Sequence, residues 1–215
     1  VPGDPSSAAF YVAAAILVRG AGTGALRWSF ISVLQPDGIL LIHDAPVYPT
    51  TRVTLESMGV RTVAVNFNDA QLLRELPASL HERFDAVLVQ HTRQKIDDSY
   101  DFEEVISVLK SAYPQTPIIT DDNYAALKVP KIGCQAGADL ATFSCFKTLG
   151  PEGIGVVLGK RALVEKIHQY QYSGGSQVQR LDSVMPYIEY TFAFGNSSCS
   201  LKMWAGGSAA AVLVM

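Results

Sequence analysis

Phe143-Ser144-Cys145-Phe146-Lys147-Thr148-Leu149-Gly150-Pro151-Glu152-Gly153-Ile154-Gly155 is the stretch on which the reading of this chain turns. It follows Leu140-Ala141-Thr142-Phe143, an apolar run that reads as a short buried strand, and it leads into a second run, Gly155-Val156-Val157-Leu158-Gly159. Between them stands one lysine, with Ser144 three residues before it and a Gly-Pro-x-Gly-x-Gly turn after it. A lysine between two buried strands must either reach solvent or sit where its charge can be lost. Burial lowers a lysine pKa, and a neutral amine is a nucleophile toward aldehydes. The glycines permit positive φ and close approach of another group to the backbone. The same residues also read as a surface lysine on a Gly-rich turn, so the rest of the chain has to decide.

Working outward, short apolar runs alternate with stretches of helical spacing. Strand-like runs are Ala13–Val18, Ile39–Ile42, Val60–Val65, Ala86–Val89 and Pro117–Ile119. Helices are expected at Asp4-Pro5, over Ala25–Leu34, Pro49–Met58, Asp69–Leu76 with Asp69 as N-cap, and Phe102–Ala112. Strands that are apolar throughout belong to a mostly parallel sheet covered on both faces. The fold class is α/β, a three-layer αβα sandwich.

Composition excludes several functions. The chain has 215 residues, 48% of them hydrophobic, enough for a sizeable core. A net charge of −3 without basic runs gives no electrostatic footprint for nucleic acid or an anionic membrane. The cysteines, Cys134, Cys145 and Cys199, are odd in number and form no Cys-x-x-Cys pair, which argues against a disulfide framework or zinc and for a reducing, cytoplasmic setting. No signal peptide or membrane-spanning run is visible, and no metal site is expected.

In such sheets ligands gather at the carboxyl ends of strands. After the first strand comes Gly20-Ala21-Gly22-Thr23-Gly24, a phosphate loop at a helix start or simply a tight turn. It is neither Gly-x-Gly-x-x-Gly nor a Walker A loop. After the second comes His43-Asp44-Ala45-Pro46-Val47-Tyr48-Pro49, where prolines restrict Tyr48, which could lie flat on a planar ligand or pack on its neighbours. After Ala86–Val89 comes Gln90-His91-Thr92-Arg93-Gln94. His91 there reads more readily as a satisfied loop histidine than as a base. After Pro117–Ile119 comes Thr120-Asp121-Asp122-Asn123-Tyr124. A buried carboxylate at Asp121 calls for a cation or several donors. Adjacent carboxylates on an extended segment point to opposite sides, which argues against a metal shared with Asp122.

Asp121-x-x-Tyr124 followed by Ser144-x-x-Lys147 resembles the core of fold-type I pyridoxal-phosphate enzymes. The continuation from Lys147 to Gly155 is similar to the aminotransferase class V branch, and the two four-residue motifs are closer to the class I/II pattern. Gly-Ala-Gly-Thr-Gly-Ala, His-Asp-Ala-Pro-Val-Tyr-Pro-Thr-Thr-Arg and Gln-His-Thr-Arg-Gln, in this order, resemble a group of uncharacterised aminotransferase-like proteins; the resemblance covers residues 13 to 179. It implies pyridoxal 5'-phosphate as cofactor and a Schiff base at Lys147, which would also move protons at the substrate α-carbon. By the same resemblance Asp121 keeps the ring nitrogen protonated and Tyr124 bonds the phenolic oxygen. Tyr48 stacks on the ring, and Gly22, Thr23, Gly24 and Ser144 hold the phosphate. Thr92 stands where relatives often carry an asparagine.

The resemblance implies a cofactor domain over residues 1–179, an atypical tail over 180–215 without the usual small domain, and therefore a fragment or altered gene product. It implies an amino-acid substrate, for which Arg52, His91 and Arg93 are candidate contacts by their position at strand ends alone, and a homodimer, with Tyr172–Gln177 as a segment reaching the neighbour's phosphate or else a helix cap and loop. The expected activity is transamination. A β/γ-elimination lyase, a non-catalytic remnant and a nucleotide-binding α/β protein are the alternatives.

Overall fold

The computed structural model describes residues 14–79, 83–148, 150, 152–174, 188–194 and 197–203. In chain order these form β1 (Ala14–Arg19), α1 (Ala21–Val33), β2 (Ile39–His43), α2 (Pro49–Ser57), β3 (Arg61–Val65), α3 (Ala70–Ser79) and β4 (Ala86–Gln90). Then follow α4 (Phe102–Ala112), β5 (Ile118–Asp121), β6 (Leu140–Ser144), a single 3-10 turn (Cys145–Thr148), β7 (Ile154–Gly159), α5 (Arg161–Ser173), β8 (Ile188–Phe194) and β9 (Ser197–Met203). The first seven strands make one sheet in the order β1-β7-β6-β5-β4-β2-β3.

The expected parallel core is present: β2 pairs in parallel with β3 and β4, and β4, β5 and β6 continue the series. Strand β7 departs from it, running antiparallel to both β6 and β1. The short Cys145–Gly153 connection imposes this, because a parallel partner needs a crossover of about a dozen residues or more.

Alternate residues of each strand feed opposite helical layers. Leu40, Ile42, Leu88 and Ile119 join Leu26 and Phe30 of α1 and Val164 and Ile167 of α5 in one core. Leu41, Val87, Val89 and Ile118 join Leu73 and Leu76 of α3 and Val105, Ile106 and Leu109 of α4 in the other. The three-layer sandwich is therefore the observed architecture. Each large apolar side chain so buried contributes on the order of 1.5–3 kcal/mol.

Helix starts follow local chemistry. Asp69 accepts from Leu72 N at 2.9 Å, as expected for an N-cap, and Asp101 caps α4 by accepting from Glu104 N. Helix α1 begins at Ala21, four residues before its expected start at Ala25. Gly22 and Gly24 are poor helix formers, but tertiary hydrogen bonds hold this turn: Gly20 N and Ala21 N both donate to Gly153 O, at 2.9 and 3.1 Å.

The helix expected at Asp4-Pro5 lies outside the described residues. Tyr172 and Ser173 end α5 and Gly174 follows as its C-cap; residues 175–177 lie outside the described set. Within the tail, β8 and β9 form an antiparallel pair in register from Ile188↔Met203 to Phe194↔Ser197, which agrees with the lack of helical periodicity there.

Candidate functional site

One edge of the sheet collects the carboxyl ends of β1, β6, β5, β4 and β2, and the antiparallel β7 starts at the same edge. Register places Arg19 opposite Ile154, Ser144 opposite Gly155 and Gln90 opposite Asp121. The loops singled out in the sequence therefore meet at one place.

Lys147 lies in the 3-10 turn, which is closed by Thr148 Oγ1 donating to Cys145 O at 2.8 Å and Gly150 N donating to the same oxygen at 2.8 Å. The side chain is half-buried. Its Nζ donates to the Tyr124 hydroxyl at 3.3 Å and sits 4.3 Å from the centroid of that ring and 4.6 Å from that of Phe146. Tyr48, the N-cap of α2, brings its ring to 5.9 Å from that of Tyr124, tilted by 45°. Tyr48 and Tyr124 are 37% and 45% exposed, so this aromatic corner opens outward.

Beneath it is Asp121, 5% exposed. Burial pushes its carboxyl up to about 6; donation from the Asn123 backbone and side chain works against that rise, and Asp122 adds to it. Both Asn123 donors, N at 3.1 Å and Nδ2 at 2.8 Å, fall on Oδ1. Oδ2 has no donor among the described residues. The neighbouring Asp122 is fully buried and differently engaged, receiving His91 Nδ1 at 2.7 Å, Thr120 Oγ1 at 2.6 Å and Gly133 N. The two carboxylates serve separate networks.

At the other end, Ser144 Oγ is buried and has no hydrogen-bond partner among the described residues. The opening amides of a helix have no carbonyl one turn earlier. Gly24 N bonds Gly20 O at 2.8 Å, while the Gly22 and Thr23 amides have no acceptor among the described residues. A buried orphan hydroxyl beside free amides at a helix start suits an anion. Gly22 packs flat on Asn123: a Cβ there would stand 2.1 Å from Asn123 Oδ1.

The structure thus brings together Lys147, Tyr124, Tyr48, Asp121, Ser144 and the Gly22–Gly24 loop. Thr92 lies at the adjoining end of β4, its carbonyl and hydroxyl oxygens accepting from Gln90 Nε2 at 3.0 and 3.4 Å. His91 is satisfied by Asp122 and stacks on Phe102 with centroids 3.7 Å apart. Arg93 is exposed, and Arg52 pairs loosely with Glu56 at 3.9 Å on the surface of α2. Sequence reasoning missed Asn123, although its position two residues after a strand-end aspartate favours an Asx-type bond back to that residue.

A family model described as Aminotransferase class-V matches residues 20–195. The uncharacterized Escherichia coli K12 protein YhfS is 50% identical over 171 residues, 80% of this chain and 46% of that protein. The crystal structure of E. coli YhfS, described as pyridoxal-5'-phosphate dependent, matches with a TM-score of 0.73 over 79% of this chain and 46% of that one. A candidate cystathionine β-lyase involved in aluminium resistance from Listeria innocua matches with a TM-score of 0.62 at 20% identity, over 79% and 47% of the two chains. YbdL from E. coli, described with a methionine aminotransferase function, matches with a TM-score of 0.57 at 16% identity, over 77% and 47%. At such identities the last two show the fold alone. The chain spans less than half the length of these relatives.

Proposed function

The chain belongs to the aminotransferase class-V family, and from that premise we propose that it binds pyridoxal 5'-phosphate through Lys147 and acts on an amino acid, as an aminotransferase. The observation that carries this reading is the convergence, at one sheet edge, of a half-buried lysine, a buried carboxylate with one free oxygen and an orphaned serine hydroxyl.

The residues fit the group. Ser144 Oγ and the amides of Gly22 and Thr23 offer donors to its phosphate, with Thr23 and Gly24 completing the loop. Asp121 Oδ2 would accept from a protonated ring nitrogen, which supplies the partner this buried carboxyl otherwise lacks. Tyr48 would cover the ring face, and Tyr124 and Thr92 would border the phenolic oxygen. When bound, pyridoxal phosphate supplies an aldehyde for amines and a ring that draws electrons from the substrate α-carbon.

Lys147 then has two tasks, to hold the cofactor and to carry a proton to or from the α-carbon. Tyr124 accepts its hydrogen bond and fixes where Nζ stands. Asp121 keeps a negative charge facing the ring, and burial sharpens its effect by excluding water. A nucleotide-binding reading would use the Gly20–Gly24 loop but leave Asp121, Tyr124 and Lys147 idle.

Elimination is the second reading, because the residues that would hold the cofactor serve it equally well. Both reactions begin at the α-proton, so product analysis separates them: a keto acid with transfer of the amino group, or ammonia with a cleaved side chain. A chain that binds cofactor without turnover is the third outcome of the same assay. A homodimer is proposed for the full site, and a reducing cytoplasmic setting suits the buried thiols of Cys134 and Cys145.

The test is the visible spectrum on adding pyridoxal phosphate, then borohydride reduction and peptide mapping. A reduced adduct on Lys147, absent in Lys147→Ala, is expected. A folded protein with no adduct there would sink the reading.

A further inference from the structure

We propose that Asn123 is a positioning residue that locks the two ends of the cofactor site into one unit, holding Asp121 for the ring and Ser144 and Gly22 for the phosphate. This rests on the pyridoxal-phosphate reading above.

The carboxamide touches three separate segments. Its Nδ2 donates to Asp121 Oδ1 at 2.8 Å, at the end of β5. Its Oδ1 accepts from Ser144 N at 2.9 Å, at the end of β6. The first turn of α1 lies on its flat face, where a Cβ at Gly22 would stand 2.1 Å from Oδ1, 2.3 Å from Nδ2 and 2.5 Å from Cγ. The orientation is unique: Asp121 can only accept and the Ser144 amide can only donate, so the carboxamide cannot be flipped.

Each bond sets a group that faces the ligand. The backbone and side chain of Asn123 both occupy Oδ1 of Asp121, which turns Oδ2 toward the ring. The bond to Ser144 N fixes the backbone that carries the orphaned Oγ. Contact with Gly22 sets the depth of the loop whose amides face the phosphate. A shorter side chain releases all three, and a longer one has no room beneath Gly22. The charged group acting on Asp121 is Asp122, itself engaged by His91.

Two probes read the two ends separately: pyridoxal, which lacks the phosphate, and inorganic phosphate. Ser144→Ala is expected to weaken phosphate alone and Asp121→Asn to weaken pyridoxal alone. Asn123→Ala is expected to weaken both, each about tenfold, about 1.4 kcal/mol, with an unchanged far-UV spectrum. The double variant Asn123→Ala/Asp121→Asn should bind pyridoxal no worse than Asp121→Asn alone, a coupling that a general loss of structure would not produce. A folded Asn123→Ala within twofold of the parent for either probe overturns the proposal.

If Asn123→Ala does not fold, Asn123→Leu keeps the size of the side chain, removes both of its hydrogen bonds and adds no charge. Carbon-13 titration of Asp121 in the cofactor-free chain should then move upward, because a carboxylate that loses a donor is harder to ionise; no movement overturns the proposal. That titration needs no ligand. A parent chain that binds neither probe therefore counts against the cofactor reading, while the hold of Asn123 on Asp121 is still judged.

Discussion

Gly155 lies so close to Ala21 that a Cβ on it would stand 2.0 Å from the Ala21 carbonyl oxygen. The turn after Lys147 thus forms the wall against which the first turn of α1 rests, and Gly153 O clamps it through two amides. Gly155→Ala must push that turn outward. It is expected to cost about 1–3 kcal/mol of stability and to weaken pyridoxal phosphate by tenfold or more, checked by cofactor titration beside chemical denaturation.

Ser144→Ala separates binding from stability. The buried hydroxyl has no partner among the described residues, and an unsatisfied polar group costs about 1–3 kcal/mol. The cofactor-free variant should therefore be as stable as the parent or more so, while cofactor affinity falls roughly tenfold. A thermal melt and a titration on the same sample check both.

Asp121 predicts a pH dependence. Burial raises its carboxyl to about 6, so the folded chain binds this proton more tightly than the unfolded one. The cost is absent below about pH 4, grows as the pH rises through about 6, and is complete above it. At ~1.36 kcal/mol per unit it reaches at most about 3 kcal/mol. Cofactor-free Asp121→Asn should accordingly be more stable than the parent at pH 8 and no different below pH 4. Melting temperatures of both proteins across this range are the measurement.

Asp98 works in the opposite sense. Burial alone would raise its carboxyl, but hydrogen bonds from His43, the Lys95 and Gln94 amides and Asn68 hold it well below the usual range. Its contribution to stability is present above about pH 4 and is lost as the pH falls through its low folded-state value. His43 Nε2 donates to it at 2.8 Å while His43 Nδ1 receives Phe67 N at 3.0 Å, so one carboxylate anchors β2, β3 and the loop after β4. Asp98→Ala should cost about 3 kcal/mol or more, measured by denaturant unfolding at pH 7, with earlier proteolysis in the 91–99 loop.

Much of this was legible in the sequence where the signal is local. Leu40-Leu41-Ile42 and Val87-Leu88-Val89 are apolar on both faces because both faces are covered, and the residues that follow them had to lie at the ligand edge. Asp121 and Lys147 stood out because neither belongs in an apolar surrounding without a partner. The direction of β7 was written only in the short connection before it, since an apolar run such as Val156-Val157-Leu158 is the same in either sense. The early start of α1 was hidden because Gly22 and Gly24 obey a tertiary contact rather than a propensity. Asn123 escaped for the same reason: its importance lies in Ser144 and Gly22, both distant along the chain, and only folding brings the three together.

The pairing of β1 with β7 carries a kinetic consequence. Strands β2 to β5 join neighbours that lie near in the chain, whereas Arg19 must wait for Ile154. Closing so long a loop is entropically unfavourable until the contacts around it exist, and such pairings form late. On the ribosome the central strands can pair while the Gly20–Gly24 turn still lacks Gly153 to receive its amides. The nascent chain therefore pairs its central strands before the Gly20–Gly24 turn is clamped, and an arrest of synthesis short of β7 would leave that turn without the carbonyl that holds it.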